Sequence, residues 1–176
     1  KGEGGNDIII SYGSSGNQPD LIEGGLGNDT LISLGANTKA TGGLGSDYFA
    51  YGARAGSSVS DGNLQILDFK ATEDKLDLSQ FKNSTNQSIS LADILANSET
   101  ATVDSQQGVK ISFTNWKVND AAAGTGFIFI NGASITTDAT VKLSIEDQNN
   151  VSLTSTILDL TSSTVNLSTF NFGDVI

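Results

Sequence analysis

Three kinds of residue are missing from this chain of 176 residues, and a fourth is rare. It contains no cysteine, no histidine and no methionine, and its single proline is Pro19. Without cysteine there can be no disulfide and no thiolate chemistry. Without histidine the chain lacks the commonest general base and the commonest ligand of transition metals, so zinc and copper are not expected. We find no stretch typical of a signal peptide or a membrane span.

Basic residues are also few. Nine Lys and Arg stand against 20 Asp and Glu, which gives a net charge of −11 and a pI of about 4.1. This balance argues against nucleic acids and anionic membrane surfaces as partners. A chain this acidic is instead expected to need cations in order to fold.

A nine-residue pattern recurs near the beginning of the chain. Residues 24–32 and residues 42–50 both read G-G-x-G-x-D, followed by an apolar residue two places on. The glycines permit turns that are closed to other residues and let carbonyl oxygens approach one point, where the Asp adds a carboxylate. Calcium prefers six to eight oxygen ligands of these kinds. A set of ordinary β-turns is the alternative interpretation, and two matching copies in register argue against it.

Further copies of the pattern are degraded. Residues 2–10 have Glu3 in place of the second glycine, and residues 15–23 lack the middle glycine. Residues 11–14 fall outside the nine-residue frame, and Thr38 stands where the next copy should have Asp. Because the chain begins inside a repeat, we expect it to be a fragment of a longer protein.

The nonapeptide is similar to the RTX repeat of calcium-binding parallel β-rolls. The resemblance implies that two nonapeptides form one coil, so that equivalent residues of alternate nonapeptides stack. Asp7, Asp29 and Asp47 would then form a column with two calcium sites, and Asp20 and Thr38 would stack on the opposite side. Bare carboxylates about 4.8 Å apart would repel by roughly 3 kcal/mol at an effective dielectric constant of about 20. Calcium would remove this repulsion.

The resemblance also implies a set of metal-binding residues within the repeats. They are Gly2, Gly4, Asn6, Asp7, Asp20, Gly24, Gly25, Leu26, Gly27, Asn28, Asp29, Gly42, Gly43, Leu44, Gly45, Ser46 and Asp47.

A second resemblance covers the segment after the repeats. Ile66, Asp68 and Phe69, followed by D-K-L-D-L-S at residues 74–79, resemble the C-terminal module of serralysin-type proteases. Asp74 and Asp77 are candidates for a further calcium site, with a solvated acidic turn as the alternative. The family resemblance implies export by a type I secretion system, with an uncleaved signal at the extreme C-terminus, and calcium-driven folding outside the cell.

The remaining elements are predicted from local patterns. Residues 48–51 form a heavy strand that is predicted to close the roll, and residues 52–63 form a loop. Leu64 and Ile66 alternate as in a strand, as do Leu76 and Leu78. A helix capped by Ser90 is predicted over residues 90–97. Further strands are predicted at residues 109–113, 126–131 and 141–145, with a long flexible loop at residues 119–124.

The last segment of the chain combines two features. It has no Lys or Arg after Lys142, and its apolar residues are spaced by one: Val151 and Leu153, Leu158 and Leu160, Val165 and Leu167, Phe170 and Phe172. Such a tail is similar to a type I export signal. It is also typical of the last two strands of a β-sandwich, and both interpretations can hold because a signal is read while the chain is unfolded.

These patterns predict an all-β fold with a parallel, calcium-binding β-roll over residues 1–60. A β-rich, sandwich-like cap with one short helix would follow over residues 61–176 and would contain the secretion signal. The predicted function is a non-catalytic module that binds two or more Ca²⁺ ions and belongs to a larger secreted or surface protein of adhesin or surface-layer type. Its partners would be calcium and the type I machinery, with no nucleic acid.

Two other functions are left open. The chain could be the appendage of a secreted protease, lipase or epimerase whose catalytic residues lie upstream, since no catalytic constellation is found here. Residues 85–176 could instead form a carbohydrate-binding sandwich in which Trp116 contacts a sugar. The alternative for Trp116 is an aromatic residue of the core or of its rim. A surface or glycan ligand could also be bound through the parent protein.

Overall fold

The computed structural model is built mainly from two β-sheets. It describes residues 1–12, 18–35, 37–52, 62–118, 121–137 and 143–146, with the backbone alone for residues 121, 136, 137 and 143–146. Residues 147–176, which hold the predicted export signal and the last predicted strands, lie outside the described residues.

One sheet has four parallel strands and the other has seven. The first runs β2 (Ile8–Ser11), β4 (Thr30–Leu34), β6 (Tyr48–Gly52), β8 (Lys75–Asp77). The second runs β1 (Glu3–Gly4), β3 (Asp20–Leu26), β5 (Thr38–Leu44), β7 (Asn63–Ile66), β14 (Phe127–Asn131), β11 (Gln106–Ser112), β10 (Ser98–Val103). Because the chain alternates between the sheets from β1 to β8, it winds as the predicted roll.

The register of the roll follows the repeat. Gly25 pairs with Gly43 and Leu31 pairs with Phe49, and in each pair the partners hold the same position in the two perfect nonapeptides. Alternate side chains of both sheets point between them, as the pleat of a strand requires. They form one buried core, whose members from the roll include Ile22, Leu31, Ala40, Phe49, Leu64, Ile66 and Leu76.

Strand β6 does not close the roll, which corrects the prediction for residues 48–51. It pairs with β4 on one side and with β8 on the other. The sheet continues through β7 into β14, which lies parallel to β7. The predicted boundary at residue 60 therefore falls between strands of one continuous sheet, and the division into two domains stays a prediction.

The rest of the seven-stranded sheet is antiparallel. Strands β14, β11 and β10 add successively to β7. Asp104 and Ser105 join β10 to β11 with φ angles of 50° and 66°, the left-handed values that a tight hairpin turn of this type needs. Strand β10 was not predicted, since most of its residues are polar and none of them is fully buried.

Helix α1 (Leu91–Ala96) confirms the predicted helix. The Ser90 side chain accepts a hydrogen bond from the Asp93 backbone, and Asp93 accepts one from the Ser90 backbone. This capping box satisfies two backbone donors at the beginning of the helix. Ile94 is the residue of α1 that reaches the main core.

The predicted loop at residues 119–124 is wrong in part. Strand β12 (Lys117–Val118) pairs with β13 (Ala121–Ala122) and also with β9 (Phe81–Lys82). Only positions 119 and 120 separate the paired residues Val118 and Ala121, so the connection is short. The last described strands are β15 (Ser134–Thr137) and β16 (Leu143–Glu146), the second of which overlaps the strand predicted at residues 141–145.

Trp116 belongs to the core. It is 2% exposed, and its ring centroid lies 5.6 Å from that of Phe81 and 6.0 Å from that of Phe113. A sugar stacks on an exposed ring face, which Trp116 does not offer. Among the described residues, no helix is long and apolar enough to cross a membrane.

Candidate calcium site

A column of four aspartates runs along one edge of the roll. The backbone N–H of Asp7 donates to Oδ1 of Asp29 at 2.8 Å, and that of Asp29 donates to Oδ1 of Asp47 at 2.9 Å. The N–H of Asp47 donates to Oδ1 of Asp74, again at 2.9 Å. Each carboxylate therefore fixes the turn of the preceding coil, and the column continues one coil beyond the repeats.

A second ladder follows the outside of the same turns. The N–H of Asn28 donates to Oδ1 of Asn6 at 2.8 Å, and the N–H of Ser46 donates to Oδ1 of Asn28 at 2.9 Å. Because these side chains already accept backbone hydrogen bonds, they hold the turns in register beside the aspartates.

Two carboxylate oxygens in the column have no partner. Oδ2 of Asp7 and Oδ2 of Asp29 are buried and make no hydrogen bond. A buried carboxylate oxygen without a compensating partner is costly. Two of the four carboxylates in the column therefore each have one oxygen that no protein group satisfies.

A backbone carbonyl converges on each of these oxygens. A Cβ placed on Gly24 would lie 2.3 Å from Oδ2 of Asp29 and 2.6 Å from the carbonyl oxygen of Gly42. A Cβ on Gly2 would lie 2.4 Å from Oδ2 of Asp7 and 2.5 Å from the carbonyl oxygen of Gly24. A carboxylate oxygen and a carbonyl oxygen thus lie beside a glycine at two places, one coil apart. We call this arrangement a cradle, and only glycine leaves room for the two oxygens.

The donor set fits calcium. It consists of hard oxygens from carboxylates and backbone carbonyls, which Ca²⁺ prefers over the nitrogen and sulfur ligands that soft metals favour. The described residues contain no cluster of three or more His, Cys, Asp or Glu that could hold a metal. A calcium site does not need such a cluster of side chains, because backbone carbonyls can supply the remaining oxygen ligands.

The other predicted glycines serve the stacking of the coils. Gly25, Gly27, Gly43 and Gly45 have positive φ angles between 107° and 130°. At Gly43 and Gly45 a Cβ would come within 2.2 Å of a carbonyl oxygen of the preceding coil. Between them Leu26 and Leu44 are exposed, and only their backbone carbonyls could serve as ligands because a leucine side chain has no donor atom. Gly4 has open space around it, with only Leu26 within 4 Å of an added Cβ.

Two residues that the sequence analysis did not select cap the end of the column. Asp68 accepts hydrogen bonds of 2.9 Å from the backbone N–H groups of both Gly42 and Gly43. The Lys70 ammonium donates to the carbonyl oxygen of Gly43 at 3.2 Å. Asp68 and Lys70 thus form hydrogen bonds with backbone groups of β5 that would otherwise face a further repeat. The spacing of Asp68 and Phe69 in the serralysin-like segment was the available signal.

Burial raises the pKa of the last two carboxyl groups. Desolvation, opposed by hydrogen bonds from the Asp47 and Lys70 backbones, raises the pKa of Asp74 to about 6. Desolvation likewise raises the pKa of Asp47, with the nearby charge of Asp29 adding to it. A cation beside the column would favour the charged forms and lower both pKa values.

The structure does not bring Asp77 and Asp20 into the column. Asp77 accepts hydrogen bonds from the Tyr48 hydroxyl and, at 2.7 Å, from the Ser79 backbone. Asp20 accepts one from the Ser11 hydroxyl at 2.7 Å. Of the two acidic residues predicted after the repeats, Asp74 alone therefore stacks with the repeat aspartates.

The roll also carries a network of hydroxyl side chains away from the aspartate column. The Thr38 hydroxyl donates to the Ser11 hydroxyl at 3.0 Å and shares a 2.8 Å hydrogen bond with the Ser33 hydroxyl. Nearby, Oδ1 of Asn37 accepts from the Asn63 backbone at 3.0 Å. Because Ser11 in turn donates to Asp20, the hydroxyl groups of Ser33, Thr38 and Ser11 form one hydrogen-bonded chain that ends on the Asp20 carboxylate.

A cleft of about 250 Å³ opens beside the aspartate column. Its lining is Asn28, Asp29, Thr30, Ser46, Asp47, Tyr48, Glu73 and Lys75. Most of the lining groups are polar or acidic, so the edge of the column can be reached by a hydrated cation.

The winding of the chain and the stacked aspartates define a parallel β-roll of the RTX type. Comparison with known families agrees: the family described as "Peptidase M10 serralysin C terminal" matches residues 2–142. The chain belongs to this family, and the predicted family resemblance is confirmed. No curated protein matches the chain.

The solved structures that are similar to the chain include the solution structure of the AlgE6R3 subunit from the Azotobacter vinelandii mannuronan C5-epimerase. The identity is 21%, the alignment covers 94% of this chain and 86% of that one, and the TM-score is 0.43.

Proposed function

We propose that this chain is a non-catalytic module that folds when calcium binds to its aspartate column. The observation that carries this proposal is the pair of buried, unpartnered oxygens on Asp7 and Asp29. Each lies near a backbone carbonyl oxygen of the next coil, so a cation at this place would meet a carboxylate oxygen and a carbonyl oxygen together. The family match supports the same function.

The proposed folding switch depends on the negative charges of the carboxylates in the column. With little calcium, carboxylates stacked about 4.8 Å apart repel one another and disfavour the coiled state. Calcium held by Asp7, Asp29 and the carbonyls of Gly24 and Gly42 would neutralise this charge. If the site affinity is that of extracellular modules, millimolar calcium adds roughly 0.5–1.5 kcal/mol per site, and sites loaded together decide folding.

The biological setting is part of the proposal. The module would belong to a larger secreted or surface protein, and residues 147–176 would act as the export signal for a type I secretion machinery. In the cytosol, where calcium is scarce, the chain would stay unfolded enough to be exported. The roll would then form outside the cell.

The family match supports one alternative for the parent protein. The matching family is described by a peptidase, so a secreted enzyme with its catalytic residues upstream is a second candidate beside an adhesin or surface-layer protein. The same calcium switch would serve either parent, because it depends on the column alone.

A calcium titration followed by far-UV circular dichroism tests the switch. Asp29→Asn keeps an oxygen acceptor for the Asp7 backbone but removes the charge, and Asp20→Asn is the matched control outside the column. We expect wild type and Asp20→Asn to gain β-structure cooperatively with calcium and not with magnesium, and Asp29→Asn to need at least tenfold more calcium. A wild-type spectrum that is already folded in chelator would refute the switch.

Export needs a separate experiment. The full chain and a chain ending at residue 146 are expressed in cells that carry a type I exporter for proteins of this family. We expect the full chain in the medium and the shortened chain inside the cells. Equal export of both would show that residues 147–176 are not the signal, without bearing on calcium binding.

A further inference from the structure

The aspartate column has three junctions, and they are not alike. We call a junction the place where one aspartate donates its backbone N–H to the next: Asp7 to Asp29, Asp29 to Asp47, and Asp47 to Asp74. The first two junctions lie within the repeats, whereas the third joins the last repeat to the segment that follows it. Because this backbone hydrogen bond is the same at all three, the junctions can differ only in their other polar groups.

The first two junctions each have a cradle, and the third does not. A carbonyl oxygen is among the three atoms nearest to a Cβ placed on Gly2 or on Gly24. The three atoms nearest to a Cβ placed on Gly42, at 2.3–3.0 Å, all belong to Asp47. In addition, Oδ2 of Asp47 is not one of the buried oxygens without a partner that mark the first two junctions. The third junction therefore lacks the pair of oxygens that we assign to calcium.

Lys70 lies at the third junction with both its backbone and its side chain. Its backbone N–H donates to Oδ2 of Asp74 at 2.8 Å. Its ammonium donates to the carbonyl oxygen of Gly43 at 3.2 Å and forms an ion pair with Glu73 at 3.4 Å. The Lys70 side chain is 27% exposed, so its charge is partly withdrawn from water. A positive charge is thus held against the last repeat, where the column ends.

The hydrogen bonds of the third junction leave few oxygens free for calcium. The two oxygens of Asp68 accept from the backbone N–H groups of Gly42 and Gly43 at 2.9 Å. Both oxygens of Asp74 also accept from backbone N–H groups. Calcium needs six to eight oxygen ligands, whereas an ammonium has three donors and is satisfied by three acceptors. The third junction therefore suits a lysine better than a calcium ion.

The charge of Lys70 acts on the column in the direction in which a metal ion would act. Burial raises the pKa of Asp47, the charges of Asp29 and Asp68 raise it as well, and the charge of Lys70 lowers it. A nearby positive charge favours the ionised form of a carboxyl group. Lys70 thus offsets part of the repulsion among the carboxylates at this end of the column.

We propose that the Lys70 ammonium is the cation of the third junction and that calcium binds at the first two alone. This inference rests on the proposed calcium switch and adds which junctions of the column take an ion. Because Lys70 is part of the chain, the charge of the third junction is compensated at any calcium concentration. The charge of the first two junctions is compensated only when calcium is present.

A calcium titration of variants at Lys70, followed by far-UV circular dichroism, tests the proposal. Lys70→Gln keeps a hydrogen-bond donor and removes the charge, whereas Lys70→Arg keeps the charge. Lys110→Gln is the matched control, because the Lys110 side chain is 29% exposed and pairs with Glu99 at 3.1 Å on β11 and β10. We expect Lys70→Gln to need about threefold more calcium at its folding midpoint. Lys70→Arg and Lys110→Gln should have the wild-type midpoint.

The possible outcomes separate this proposal from the calcium switch. A wild type that is already folded in chelator would refute the switch itself. If wild type switches, a Lys70→Gln midpoint equal to that of wild type would overturn the role of Lys70. An equal shift in Lys70→Arg or in Lys110→Gln would overturn it as well, because the effect would then not depend on a charge at this place. If Lys70→Gln does not fold at any calcium concentration, Lys70→Arg must still fold at the wild-type midpoint for the proposal to stand.

The number of bound ions gives a second test. We expect wild type and Lys70→Arg each to bind two calcium ions in isothermal titration calorimetry. A third ion of comparable affinity in wild type would show that the third junction is open to calcium and would overturn the proposal.

Discussion

The backbone N–H of Asp47 donates a 2.9 Å hydrogen bond to Oδ1 of Asp74, a residue that lies in no copy of the nonapeptide. The same bond joins Asp29 to Asp47 within the repeats. The serralysin-like segment therefore continues the roll by one coil and carries its polar column with it. The proposed calcium sites and strand β8 thus belong to a single stack of turns.

The cradle at Gly24 gives the most direct prediction. Gly24→Ala would place a methyl group 2.3 Å from Oδ2 of Asp29, so we expect the variant to bind one calcium ion fewer than wild type in isothermal titration calorimetry. Gly4→Ala is the matched control, because its methyl group meets open space, and it should bind as many ions as wild type. Equal stoichiometry in Gly24→Ala would contradict the assignment.

The hydrogen bond between Tyr48 and Asp77 should stabilise the fold without affecting calcium. Tyr48→Phe leaves Asp77 without one of its two hydrogen-bond donors, and we expect the free energy of unfolding to fall by about 1–3 kcal/mol. Urea denaturation at saturating calcium measures the loss. The calcium midpoint of Tyr48→Phe should equal that of wild type, and a shifted midpoint would show that Asp77 is coupled to the metal.

The hydroxyl network around Thr38 lies away from the aspartate column, so its loss should lower stability independently of calcium. Thr38→Val removes the hydroxyl that bonds to Ser11 and Ser33, which should lower the free energy of unfolding by about 1–3 kcal/mol. Thr41→Val, on the outside of the same strand, is the control and should change it by less than about 0.5 kcal/mol. If the effect of Thr38→Val changed with the calcium concentration, the hydroxyl network would be coupled to the aspartate column and this prediction would be wrong.

Acid should replace part of the effect of calcium. The pKa of Asp74 rises from 3.8 to about 6 on folding, so the folded chain binds a proton that the unfolded chain releases. The stabilisation from this proton is fully present below about pH 3.8 and is lost as the pH rises through about 6. We therefore expect the calcium-free chain to be more stable to urea at pH 5 than at pH 7.5. A smaller difference in Asp74→Asn would assign it to this group.

The roll was predictable because the sequence repeats with the same period as the coils. The two perfect copies, at residues 24–32 and 42–50, fix the pairing of Gly25 with Gly43, and everything between them follows by symmetry. Asp74 was harder to place, since it lies 27 residues after Asp47 instead of the 18 that separate Asp29 from Asp47. Aligning each Asp with the strand that follows it would have found the register, in which Tyr48 pairs with Lys75.

Other features depend on contacts that no local pattern records. Asp77 follows Leu76 in β8, so when Leu76 faces the core Asp77 must face outward, away from the row that contains Asp74. The short strand β13 is Ala121–Ala122, whose alanines carry little strand signal and pair only because β12 lies beside them. Asp68 and Lys70 act on glycines of the preceding coil, which are distant in sequence and come near only in the folded roll.

The identical geometry of successive coils has a consequence for how such a chain can change by gene duplication. Copying residues 24–41 would insert one whole coil, because the inserted strands would meet the same partners that β3 and β4 meet now. Each insertion would bring its own carboxylate, carbonyl and glycine, while Asp68 and Lys70 would still end the stack. The number of metal sites could thus grow in whole units without any change to the residues that finish the fold.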